Sequence, residues 1–171
     1  MIDRLVAIWR RHRWPAEKYA RFLGVKIGKN CSIATKYFGS EPYLIEIGDH
    51  VQITNDVRFF NHGGGWVFRE KYPLMDTFGK IKIGNNVYIG NCVLIMPGVT
   101  IGSNVIVGAG TVVTKSIPDN SIYAGNPARE IGKISELETK ILPFDMQTKK
   151  MSPQEKKLFL LSQPDEKFIK K

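Results

Sequence analysis

Residues 83–118 read IGNNVY IGNCVL IMPGVT IGSNVI VGAGTV VTKSIP. An aliphatic residue opens each of these six hexads, and a small or β-branched residue follows four places later, at Val87, Val93, Val99, Val105, Thr111 and Ile117. A helix needs apolar residues at a period of about 3.6 and a half-buried strand at every second position. A period of six satisfies neither. It suits a chain folded into flat sides of six residues, three of which close a triangular coil of 18. Successive coils then stack at about 4.8 Å, the spacing of paired strands. On that geometry Ile83 stacks on Ile101, Ile89 on Val107 and Ile95 on Val113. The interior is predicted to be ladders of branched aliphatics, which pack well on pleated surfaces. Gly84, Gly90, Gly102 and Gly108 follow the opening aliphatic, where a tight corner leaves room for little or no side chain.

The same grammar appears upstream, at Ile27-Gly28 with Cys31 and Ile33, and at Ile47-Gly48 with Val51, Ile53, Val57 and Phe59. Ile47 to Ile83 spans 36 residues, a whole number of coils, whereas Ile27 to Ile47 spans 20. The surplus pair is assigned to a swollen corner at Gly39-Ser40-Glu41-Pro42. Residues 61–82 (NHGGGWVFREKYPLMDTFGKIK) interrupt the hexads without shifting their phase and lack aliphatics at the core positions of a coil. They are read as a loop extruded from the stack, and long loops in compact domains commonly carry function.

The chain has 171 residues, 43% of them hydrophobic and 24% charged, which suits one soluble domain with a sizeable core. No apolar run is long enough to span a membrane, and no signal-peptide core is present, so a cytoplasmic protein is expected. Cys31 and Cys92 fall on hexad positions and read as small core fillers rather than a disulfide or metal pair. The net charge of +9 concentrates toward the two ends. Solvated helix faces explain it better than a polyanion site, and nothing resembles a nucleic-acid module. Residues 1–24 are read as an N-terminal helical region: an amphipathic helix over 2–14 containing Ile2, Leu5, Val6 and Ile8, then a second helix from Pro15 to Gly24. Its basic face suits weak contact with a membrane surface, but covering the open end of a sheet is the preferred role. Residues 25–134 form the coils, with the loop at 61–82. Residues 135–171 are a C-terminal helical extension, with a capping-box start at Ser152-Pro153-Gln154-Glu155 and an apolar face from Leu158, Phe159 and Leu161.

Of the three histidines, His12 lies in the basic helix and reads as exposed, and His50 occupies a hexad turn where a polar residue is normal. His62 opens the loop beside Gly63-Gly64-Gly65, which let backbone or substrate approach closely. Placement alone does not make it catalytic. The stretch IGNNVYIGNCVLIMPGVTIGSNVIVGAGTVVTKSIPDNSIYAGNPAR, however, resembles the hexapeptide-repeat acyltransferases, in particular the maltose, galactoside and xenobiotic O-acetyltransferases and the sugar O-acetyltransferases of surface-polysaccharide pathways. The resemblance covers roughly residues 25–134. It implies an all-β, left-handed parallel β-helix, here with helical caps at both ends, contrary to the usual right-handed crossover. It also implies a homotrimer that binds acetyl-CoA between neighbouring prisms as co-substrate, with no metal required.

By the same resemblance His62 is the general base that deprotonates a sugar hydroxyl, a task suited to an imidazole and worth about 10²- to 10⁴-fold in rate. Asn91 would offer its main-chain N–H to the developing oxyanion. The amides of Gly108-Ala109-Gly110 would meet the pantetheine arm, and Thr114, Lys115, Arg129 and Lys133 the phosphates. Relatives often carry tryptophan where this chain has Tyr88. Glu46, Glu70 and Asp76 are unranked candidates for a carboxylate beside His62. The expected activity is acetyl transfer to a sugar hydroxyl in surface-polysaccharide or glycan biosynthesis. The alternatives are N-acetylation of an amino sugar and a non-catalytic assembly scaffold. A zinc site built from histidines is disfavoured, because His50 and His62 are twelve residues apart and His12 lies outside the coils.

Overall fold

The computed structural model describes residues 9–170. Of the amphipathic helix expected over residues 2–14, residues 2–8, with Ile2, Leu5, Val6 and Ile8, lie outside the described part, and residues 9–13 are helical. The chain divides after Ile134 into two compact units.

In the first unit three sheets take turns along the chain. One contains β1 (Lys26–Ile27), β3 (Ile45–Ile47), β6 (Ile81–Ile83) and β9 (Thr100–Ile101). The second contains β2 (Ser32–Ile33), β4 (Val51–Ile53), β7 (Val87–Ile89), β10 (Val105–Val107), β12 (Ser121–Ala124) and β13 (Arg129–Lys133). The third contains β5 (Arg58–Phe59), β8 (Leu94–Ile95) and β11 (Val112–Val113). Each circuit visits the sheets in that order and pairs in parallel with the circuit before it, which makes a three-sided coil. The expected ladders are present: Ile83 lies opposite Ile101, Ile89 opposite Val107 and Ile95 opposite Val113. Ile45, Ile53, Ile81, Ile89, Ile95, Ile101, Val107 and Val113 are fully enclosed. Burying a side chain of this size contributes about 1.5–3 kcal/mol. The lowest coils are filled by Phe38 and Phe59, whose rings stack at 5.4 Å.

The sixth hexad departs from the pattern. Ile117 pairs with Ile101, sixteen positions away, so the last coil is two residues short at Thr114-Lys115-Ser116.

The corners divide their work between two residue types. Gly84 is confined by its neighbours, since a Cβ there would lie 2.7 Å from the carbonyl of Gly102. The left-handed turn falls two residues later on Asn30, His50, Asn86, Asn104 and Asn120, with φ of 55, 55, 54, 55 and 58°. Asparagine tolerates that region better than most residues. Stacking these residues lets their side chains join: His50 Nδ1 lies 2.9 Å from Asn86 Oδ1, Asn86 Nδ2 donates to Asn104 Oδ1 at 2.9 Å, and Asn104 Nδ2 to Asn120 Oδ1 at 3.0 Å. Cys92, with φ 60°, sits at an equivalent position on the next corner and is exposed, so it is not a core filler. Cys31 is half-buried against the core, with Sγ 3.2 Å from the Gly48 carbonyl.

At the start of the stack, α1 (Ala16–Phe22) buries Tyr19 and Ala20, and its Arg21 donates to the carbonyls of Ile27 and of Gly28. At the far edge of the second sheet, β12 is covered by the antiparallel β13 rather than by a helix. The chain reverses there through Gly125, whose φ is +95°. The second unit carries α2 (Ile134–Ile141) and α3 (Pro153–Leu161). Ser152 caps α3 through a complete capping box with Glu155, as the sequence predicts. Two hydrogen bonds from Ser152 hold the Glu155 carboxyl below its ordinary value. The apolar face differs from expectation, because Leu158 and Leu161 are exposed while Phe159 and Leu160 are half-buried. Among the described residues no helix is long and apolar enough to cross a membrane.

Candidate active site

The coil from Ile47 to Ile83 is a single circuit, because β3 pairs directly with β6. The remaining 18 residues of that 36-residue advance leave the stack as the loop. No second, degenerate coil is present. The neck of the loop is pinned by Gly79 N–H donating to the Asn61 carbonyl at 2.7 Å and by a bridge between His62 and Phe78. Beyond it lie a short 3-10 helix, Gly65–Phe68, and a row of exposed apolar side chains including Trp66, Val67 and Leu74.

His62 therefore stands at the root of the loop, at a corner of the prism. Its ring meets Phe78 edge-on at 5.9 Å, and its side chain is 42% exposed. Nδ1 lies 2.7 Å from Oε2 of Glu41, a carboxylate only 16% exposed. An ionised carboxylate can only accept, so Nδ1 carries the proton and Nε2 of the neutral ring keeps its lone pair. An imidazole held in this way can take a proton through Nε2. The ring also lines a cavity of about 550 Å³, whose wall includes Tyr37, Arg58, Phe60 and Asn61.

Glu41 is the residue that sequence reasoning missed. It lies in the swollen corner of the first coil, after Gly39 with φ +70° and before the 3-10 helix Pro42–Leu44. The surplus of two residues was the available signal: a bulge one coil below the loop can reach the loop's root. The three candidate carboxylates are placed otherwise. Glu46 pairs with Lys26 at 2.9 Å, and that bond, with Lys82 and Lys80 nearby, holds its carboxyl below the ordinary value. Asp76 accepts the Thr77 N–H at 3.1 Å, and Glu70 is exposed.

The other sequence-predicted site residues lie elsewhere on the same chain. Asn91 sits at the corner between the second and third sheets, with Gly108 and Ala109 one coil further along at the same corner. Along the neighbouring corner each backbone N–H is capped from the next coil: Lys29 by Asp49, Asp49 by Asn85, Asn85 by Ser103 and Ser103 by Asp119. At the Asn91 corner the series starts in the same way, with Asn55 N–H donating to Asn91 Oδ1 at 3.1 Å. It stops there, because the next residue is Ala109, which has no side-chain oxygen. Among the described residues the exposed Asn91 N–H has no acceptor. Thr114 and Lys115 are exposed at the shortened corner of the last coil, and Arg129 is exposed at the start of β13, with Nη1 donating to the Ala128 carbonyl at 3.0 Å. Lys133 pairs with Glu130. None of these residues lines the cavity beside His62.

The sequence family described as bacterial transferase hexapeptide (six repeats) matches residues 80–115. Protein CapG of Staphylococcus aureus is 55% identical over 151 residues, 86% of this chain and 88% of that protein. The chain belongs to the hexapeptide-repeat acetyltransferase family. Membership implies left-handed winding of the coils. The galactoside O-acetyltransferase of Escherichia coli (strain K12) is 41% identical over 64% of this hexapeptide-repeat chain and 57% of its own length. A hexapeptide-repeat-containing acetyltransferase from Vibrio cholerae O1 biovar eltor, solved with acetyl coenzyme A, superposes with a TM-score of 0.58 at 28% identity. That match covers 65% of this chain and 61% of the Vibrio protein, so the chain spans little more than half the length of these two relatives.

Proposed function

We propose that the protein transfers an acetyl group from acetyl-CoA to a hydroxyl of a sugar acceptor in surface-polysaccharide biosynthesis, with His62 as general base. The observation that carries this reading is the 2.7 Å contact between Glu41 and Nδ1 of an imidazole that opens onto a cavity. Glu41 holds the ring in the tautomer whose Nε2 accepts, and its charge favours the imidazolium formed in the reaction. Nε2 removes the hydroxyl proton as the oxygen attacks the thioester carbonyl. The tetrahedral intermediate collapses with loss of the coenzyme A thiolate, which leaves with the proton from His62. Direct transfer from the thioester to the hydroxyl is preferred.

Asn91 serves as an oxyanion donor through its N–H, left open by Ala109. The amides of Gly108 and Ala109 receive the pantetheine arm. Thr114, Lys115, Arg129 and Lys133 meet the phosphates. Within one chain His62 and Asn91 belong to different corners of the prism, so a complete site requires a second copy, and a homotrimer supplies it. The helix α1 acts as a cap at the start of residues 25–134, covering the first strand edge through Arg21. The reaction is assigned to the cytoplasm, where acetyl-CoA is made.

The test is thiol release from acetyl-CoA with a panel of sugars and amino sugars, comparing native protein with His62→Ala. The expected loss is about 10²- to 10⁴-fold with melting temperature unchanged. Equal rates would favour a scaffold.

A further inference from the structure

The cavity beside His62 carries three cations, Arg11, Lys36 and Arg58, and no aspartate or glutamate in its lining. Arg11 and Arg58 bring their guanidinium carbons to 5.0 and 4.9 Å from the same Tyr37 ring, so they lie no farther apart than the sum of those distances. Lys36 Nζ donates to the Arg11 carbonyl at 2.6 Å. Among the described residues none of the three has a carboxylate partner. Like charges gathered without a counterion in a concave wall focus a positive field, and a guanidinium suits the oxygens of a phosphate.

A second observation comes from another residue of the lining. Asn61, only 1% exposed, has neither amide atom bonded. Buried amides are rarely left unpaired. This one sits next to His62, with Oδ1 packed into the space that Gly39 leaves by lacking a side chain, where a Cβ would lie 2.0 Å from it. With Oδ1 turned to Gly39, Nδ2 is left as the donor that a sugar oxygen can satisfy.

We infer that this cavity is the acceptor site and selects a sugar carried on a phosphate or pyrophosphate. The phosphate lies on Arg11, Lys36 and Arg58, while the sugar lies against Asn61 with one hydroxyl at His62 Nε2. This deepens, and rests on, the reading of His62 as the base. The phosphates of coenzyme A are the competing occupant. They are disfavoured because the residues assigned to them, Thr114, Lys115, Arg129 and Lys133, lie one coil or more beyond Asn91, so a donor whose thioester meets Asn91 carries its phosphates away from the base.

The test is calorimetric titration of coenzyme A-saturated protein with inorganic pyrophosphate, UDP and farnesyl pyrophosphate. Pyrophosphate is expected to bind to the native protein and about tenfold or more weakly to the Lys36→Gln/Arg58→Gln variant, with Arg58→Lys retaining most of the affinity. Coenzyme A affinity is expected to change by less than about twofold in both variants, as for independent sites. Tighter binding of UDP would identify a nucleotide-linked acceptor, and tighter binding of farnesyl pyrophosphate a lipid-linked one. No pyrophosphate binding, or a matching loss of coenzyme A affinity in the double variant, would overturn the inference. Failure of the native protein to bind coenzyme A at all would instead count against the acetyltransferase reading, which keeps the two separable.

Discussion

Two stretches of the same prism follow different spacing. From the β6–β7–β8 circuit to the β9–β10–β11 circuit the chain advances 18 residues on every side, Ile83 to Ile101, Tyr88 to Ile106 and Leu94 to Val112. The lower circuits advance by 20 from Ile27 to Ile47 and by 36 from Ile47 to Ile83. The regular stretch holds branched aliphatics in register. Each irregularity below it holds one half of the His62–Glu41 pair: the swollen corner carries Glu41, and the extra 18 follow His62 out of the stack. Strict periodicity serves packing, and its interruptions are where side chains are freed from the ladders to meet each other.

That contrast can be broken from either side. In the regular stretch, Ile95→Ala removes a fully buried rung between Phe59 and Val113. It is expected to cost about 2–5 kcal/mol in chemical denaturation, because the flanking coils cannot collapse into the space. In the irregular stretch, Gly39→Ala forces a side chain onto a left-handed residue and onto Asn61 Oδ1. A cost of about 1–3 kcal/mol is expected. Because the disturbed atoms border the cavity, KM for the acceptor should rise more than KM for acetyl-CoA. Ser152→Ala tests local rules outside both stretches, in a helix whose start owes nothing to the hexads. Loss of the cap should lower protection of the α3 amides by about 1 kcal/mol in hydrogen exchange. The Glu155 carboxyl titrates below its ordinary value in the folded chain, so its contribution is present above that ordinary value. It is lost as pH falls through the lowered one.

The ladders were legible because a period of six leaves few alternatives once aliphatics recur at fixed intervals. The loop and the swollen corner were legible as arithmetic, from 36 and 20 where 18 is the rule. Their consequence was not, since the meeting of Glu41 with His62 across 21 positions depends on how the swollen corner folds, which no periodicity encodes. The early end of the last coil was hidden for a related reason: Ile117 fits the hexad phase and yet pairs with Ile101, because the corner before it lost two residues. Cys92 looked like a core position by spacing, but the left-handed corner turns it outward. The open N–H of Asn91 could have been read from the sequence, by noting that Ala109 replaces the oxygen-bearing residue found at the matching corner positions.

The most direct measurement is a double-mutant cycle on the rate of acetyl transfer, with Glu41→Gln made in the native protein and in His62→Ala. If Glu41 acts by orienting the imidazole, Glu41→Gln lowers kcat by about 10- to 100-fold in the native background and leaves the His62→Ala rate unchanged. Equal losses in both backgrounds would contradict the account, because Glu41 would then be acting without His62.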